Sequence, residues 1–147
     1  MRLTSPRIAP LQNAEMDAEQ QEIVAPMGDR VLNIFRTMIQ APKAAKGFLA
    51  WGNYVLSKKN DLPGREREIV ILRIGFLRKS GYEWTQHVPI GQRAGLTDDE
   101  VARIKVGADA PGWSPADQAL LRASDELHHD QFITSDTWAA LKAHFSD

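Results

Sequence analysis

Glu83 and His87 stand four residues apart in the stretch Ser80-Gly81-Tyr82-Glu83-Trp84-Thr85-Gln86-His87. On a helix that spacing puts both side chains on one face, within reach of each other. A carboxylate beside an imidazole orients the ring, raises its pKa and keeps a proton ready for transfer. Ser80 falls where such a helix would begin, and the free N–H groups of a helix start favour an anion. Glu68 heads the preceding segment with Arg65 and Arg67 beside it, and Arg73 interrupts the apolar run 69–77. An arginine buried there needs a carboxylate partner. Each feature also has a plain structural role. Glu-x-x-x-His is a common surface pair, Glu68 suits an ion pair with Arg65 or Arg73, and Tyr82, Trp84 and Trp51 suit a core. A metal site is not expected. Glu83 and His87 are too few ligands, and the adjacent His128 and His129 point about 100° apart on a helix.

The elements that must position these groups all read as helices, which predicts an all-α fold. Residues 1–14, broken by Pro6 and Pro10, are expected as an extended arm of a single domain spanning 1–147. Residues 15–24 read as a polar helix. A second covers 30–39, capped by Asp29, with Val31, Ile34, Phe35, Met38 and Ile39 on one face. Pro42 opens a third that runs to about Lys58, in which Gly47 and Gly52 are expected to mark close helix contacts or a pocket wall. Residues 65–79 form the most apolar helix, which belongs at the centre of a domain or inside an oligomer. Residues 82–94 follow, with Pro89 expected to bend the helix and Gly95 to close it. Thr97-Asp98-Asp99-Glu100 is a capping box. Ser114-Pro115 starts another helix, and Thr134 or Ser135 the last. Ser146-Asp147 resembles one more N-cap with no helix after it.

Composition narrows the function. A net charge of −1 and a pI near 6.4 give no basic footprint for nucleic acid. There is no cysteine, so disulfides, thiolate metal sites and thiol redox chemistry are excluded for these residues. The N-terminal residues lack the apolar core of a signal peptide, and no run approaches the ~18 apolar residues of a membrane span. A cytoplasmic protein is the expectation.

Leu62-Pro63, Arg67-Glu68, Tyr82-Glu83-Trp84, His87, Gly95-Leu96 and the Thr97–Glu100 box together resemble the carboxymuconolactone decarboxylase family, which includes the alkylhydroperoxidase D-like proteins. Trp113, Ala119-Leu120-Leu121, Asp125-Glu126-Leu127 and Thr137-Trp138 extend the resemblance over residues 30–145. It implies an alkylhydroperoxidase D-like helical bundle, assembled as a homotrimer or homohexamer. In the peroxidase branch a Glu precedes Cys-x-x-Cys-x-x-x-His. With His87 on that histidine, Glu68 takes the glutamate position, and Ser80 and Glu83 replace the two cysteines. The Glu/His form resembles the decarboxylase branch, which implies loss of CO2 from a carboxylated lactone without a cofactor. His87 would then be proton donor or oxyanion partner, Glu83 would orient it or shuttle the proton, and Glu68 would complete the network. Ser80, Tyr82, Trp84 and Arg73 would contact substrate, with Arg73 or Arg78 as carboxylate clamp. An isomerase, a hydrolase or a non-catalytic oligomeric binding protein on the same fold are the alternatives.

Overall fold

Caps and prolines set the helix boundaries. The computed structural model describes residues 4–146. Among them lie eight α-helices and no strand: α1 Ala18–Val24, α2 Asn33–Met38, α3 Pro42–Val55, α4 Gly64–Leu77, α5 Gly81–Arg93, α6 Asp98–Val106, α7 Pro115–His129 and α8 Ser135–Lys142. The fold is all-α, as the patterning predicts. Residues 1–3 of the expected arm and Asp147 of the expected terminal cap lie outside the described residues. The chain divides into two compact units, one up to Lys59 and one from Asn60.

In the first unit, the Asp17 side chain accepts a hydrogen bond from the Gln20 N–H at 2.8 Å, and the Gln20 side-chain oxygen accepts one from the Asp17 N–H at 3.0 Å. This capping box starts α1 later than expected, and Asn13–Glu15 form a separate 3-10 turn. α2 also starts late. Leu32, not Asp29, takes the N-cap position, because Gly28 at φ +68° turns the chain first. Pro42 is the first residue of α3, as expected. α3 packs on α1 and α2 around Met16, Ile23, Val24, Ile39 and Ala45. The segment before α1 is laced to α2: the Arg36 guanidinium donates to the Leu11 carbonyl at 2.9 Å and the Gln40 amide to that of Ala9 at 2.7 Å. Gly47 and Gly52 do not mark close contacts. A Cβ at Gly47 would meet nothing within 4 Å, and one at Gly52 only the Phe48 ring of its own helix.

In the second unit, α4 lies against α5, α6 and α7, and α8 packs on α7. Ile69 and Leu72 of α4 join Leu96, Ile104, Ala108 and Leu121 in the core, with Trp84, Val88, Val101 and Trp113 around it. Placing an apolar helix among three others explains why its pattern lacks a solvent face. α4 and α5 both end in Schellman turns. After α5, Leu96 N–H reaches the Gly91 carbonyl at 2.9 Å and Gly95 N–H that of Gln92 at 3.1 Å, with Gly95 at φ +111°. After α4, Ser80 N–H reaches the Gly75 carbonyl at 2.9 Å and Lys79 N–H that of Phe76 at 3.0 Å. There the left-handed position, φ +55°, is held by Lys79 instead of glycine. Thr97 and Glu100 form the expected box on α6, and Ser114 and Thr134 cap α7 and α8.

Three charged groups pin the helices. Arg65 binds Asp117 through both oxygens, at 2.8 and 3.1 Å, and also Glu100, joining the starts of α4, α6 and α7. Burial alone would raise the Glu100 pKa, but hydrogen bonds from Thr97 and Arg65 outweigh it and hold the carboxyl below its ordinary value. Arg73 binds Asp125 of α7 through both oxygens, at 2.6 and 3.1 Å, and donates to the carbonyls of Ile104 and Lys105 at 2.9 Å each. Glu126 accepts from Thr137 and Thr134 at the start of α8, which lowers its pKa.

Candidate functional site

Glu68 sits in the second turn of α4, facing α5, and is wholly buried. Burying a carboxyl is expensive unless it is hydrogen-bonded. Its Oε2 lies 2.8 Å from Nδ1 of His87 on α5. The close approach of the two helices has a specific cause. A Cβ at Gly91, one turn beyond His87, would stand 2.8 Å from Leu96 Cδ1 and 3.4 Å from the Glu68 Cβ. Only glycine lets α5 settle so near Glu68. The other oxygen, Oε1, is buried without a hydrogen-bond partner among the described residues. Arg67 Nε lies 3.9 Å from it.

The far edge of the imidazole meets Glu83. Nε2 is 3.3 Å from Glu83 Oε2, the i,i+4 contact that the spacing predicts. His87 is mostly buried and Glu83 about two-fifths exposed. The three groups therefore run in line from the interior toward solvent: Glu68, His87, Glu83. The hydrogen bond with Glu68 is the main cause of a raised His87 pKa. The charges of Glu68 and Glu83 add to it, while burial and Arg67 oppose it. With Glu68 ionised, the proton sits on Nδ1 and Nε2 is free to accept one from the outer side. Protonation then yields an imidazolium held between two carboxylates. Such a row takes up and releases a proton in small steps, as acid–base chemistry requires.

The other residues singled out from sequence lie apart from this row. Arg73 does not face it. Its donors are occupied by Asp125 and two backbone carbonyls, so the partner it needed is Asp125 and it is not available as a substrate clamp. Nor does Glu68 pair with Arg65 or Arg73. Ser80 is at the N-cap of α5, but its side chain makes no capping hydrogen bond. It opens instead on a pocket of ≈ 370 Å³ shared with Gly75, Phe76, Lys79, Gly81, Trp84 and Lys105. The Trp84 ring meets Phe76 edge-on, centroids 6.1 Å apart. Tyr82 is exposed on the same first turn. Gly75 connects pocket and row: a Cβ there would lie 3.6 Å from the Glu83 Cβ.

Sequence reasoning missed Gly91, Lys79 and Lys105. A glycine inside a helix is the signal that finds Gly91, but the sequence points with it to Gly47 and Gly52 instead. Nothing in the spacing shows that Lys105, on α6, meets the start of α5.

Fold and site together define an all-helical protein with a buried carboxylate–imidazole pair across a helix contact. A model of the carboxymuconolactone decarboxylase family matches residues 42–126, more than half of the chain, and the chain belongs to that family. No curated protein and no solved structure matches it.

Proposed function

We propose that the protein is a cofactor-free acid–base enzyme of the decarboxylase kind, a carbon–carbon lyase acting on a carboxylated lactone or a related small organic acid. The observation that carries this reading is the 2.8 Å contact between His87 and a wholly buried Glu68, with Glu83 at the other ring nitrogen. Family membership supports the same class of chemistry.

In the reaction, the bond between the carboxylate carbon and the ring breaks. Its electron pair passes through the conjugated system to the lactone carbonyl oxygen, and CO2 departs. The resulting dienolate takes a proton on carbon from Nε2–H of the His87 imidazolium. Glu68 holds the ring in place and stabilises its charged form. Glu83, at the solvent end, returns a proton to His87 from water. The raised pKa of His87 increases the share of imidazolium at any given pH, which suits a general acid.

The chain has no cysteine to form the thiolate of a peroxidase cycle. Ser80 and Glu83, at the positions matched to the two cysteines, support the non-cysteine form of the family in this reading. A homotrimer or homohexamer belongs to the same proposal, and sedimentation velocity on the purified chain tests it: a monomer would contradict it.

The function is tested by CO2 release from a panel of carboxylated lactones. Wild type is expected to release CO2 from at least one member. His87→Ala, with its helical circular dichroism intact, is expected to lose about 10²-fold or more, the usual share of a general acid. No release by wild type would remove the substrate assignment, and equal release by His87→Ala would remove the role of His87.

A further inference from the structure

We propose that the pocket between the start of α5 and the end of α6 binds a small planar conjugated carboxylate, with its flat body against Phe76 and Trp84 and its charge held by Lys105 and Lys79. The inference rests on the acid–base reading for what happens to the bound molecule, but not for the binding itself.

The pocket, ≈ 370 Å³, is at the small end of ligand sites, which run from about 300 Å³ upward. Its aromatic wall offers a flat apolar surface, and planar unsaturated molecules stack on such walls. The charges in it are of one sign. Lys79 and Lys105 both line it. Neither ammonium has a carboxylate within 4.0 Å among the described residues, unlike Arg65 and Arg73. The Lys105 ammonium lies 5.0 Å from the centre of the Trp84 ring, so charge and aromatic surface are already side by side.

Two structural choices favour these lysines. The carbonyl of Lys105 accepts from Arg73, which fastens the end of α6 to α4 and α7. Arg73 is thus a positioning residue for the pocket and not its clamp. Lys79 occupies the left-handed turn position, φ +55°, where glycine would be easier. A strained non-glycine residue at a pocket wall points to a use for its side chain. Gly75 joins the pocket to Glu83 and so to His87.

The test uses benzoate as probe and benzamide as its uncharged counterpart. Binding is followed through the tryptophan indole N–H signals in NMR spectra, with the Trp84 signal assigned from Trp84→Phe. Benzoate is expected to bind wild type saturably, shifting the Trp84 signal, and benzamide about tenfold or more weakly. The double variant Lys79→Gly/Lys105→Gln is expected to weaken benzoate about tenfold. Lys79→Gly alone is expected to keep or raise Tm, since glycine relieves the turn. The Tm of the double variant, measured beside it and expected to stay near that of wild type, separates loss of binding from loss of fold. The proposal is overturned if benzoate does not bind saturably, if benzamide binds equally well, or if the double variant binds benzoate as wild type does. Failure of the CO2 assay with benzoate binding intact would overturn the lyase reading alone. CO2 release without benzoate binding would overturn the pocket alone.

Discussion

At the scale of single residues, His87 is the group whose protonation state reports on the site. Its folded-state pKa lies above the ordinary 6.5 because Glu68 accepts its hydrogen bond and the nearby carboxylates favour the cation. Protons are therefore bound more tightly in the folded state than in the unfolded one. The stability this adds is fully present below the unfolded pKa and is lost as pH rises through the folded pKa. Urea denaturation of wild type and His87→Gln over about pH 5 to about pH 9 checks this. The stability difference is expected to be largest at the acidic end and to narrow as pH rises above 6.5. A difference that widens with pH would contradict the raised pKa. The i,i+4 spacing made the Glu83–His87 contact legible in sequence. Which carboxylate holds the ring was not, because Glu68 reaches His87 only through the approach of two helices.

At the scale of elements, Gly91 sets that approach and Arg73 fixes the helices on the other side of α4. Gly91 lets α5 lie against Glu68 and Leu96. Gly91→Ala gains up to about 1 kcal/mol of helix propensity but overpacks the contact at a cost of about 1–3 kcal/mol. A net loss of stability is expected, together with a His87 pKa nearer its ordinary value as the ring moves off Glu68. Denaturant titration and NMR of the His87 ring check the two parts. Arg73 holds α6 and α7 to α4. Arg73→Leu leaves Asp125 and two carbonyls without their donor and is expected to cost about 3–5 kcal/mol, read from the urea midpoint. The need for a partner was legible from an arginine inside an apolar run. Its identity, Asp125, was not, since 52 residues separate the two. Helix ends were legible where a cap carried the signal, as at Thr97 and Pro42. They were missed at Asp29, which lies in the turn begun by Gly28.

At the scale of the molecule, the all-helical class followed from periodicity, and the family from the residues of α4, α5 and α6. No helix among the described residues is long and apolar enough to cross a membrane. The absent cysteines make a molecular statement too: a thiol-dependent peroxidase assay is expected to give no rate above background, and robust turnover would contradict the acid–base reading. That reading depends on coupling between α4 and α5 through one buried carboxylate, and titration of His87 by NMR in wild type and Glu68→Gln tests the coupling most directly. Wild type is expected to titrate above 6.5, and the variant lower, because an amide keeps the contact without the charge. A wild-type His87 that titrates at or below 6.5, or one indifferent to Glu68→Gln, would contradict it.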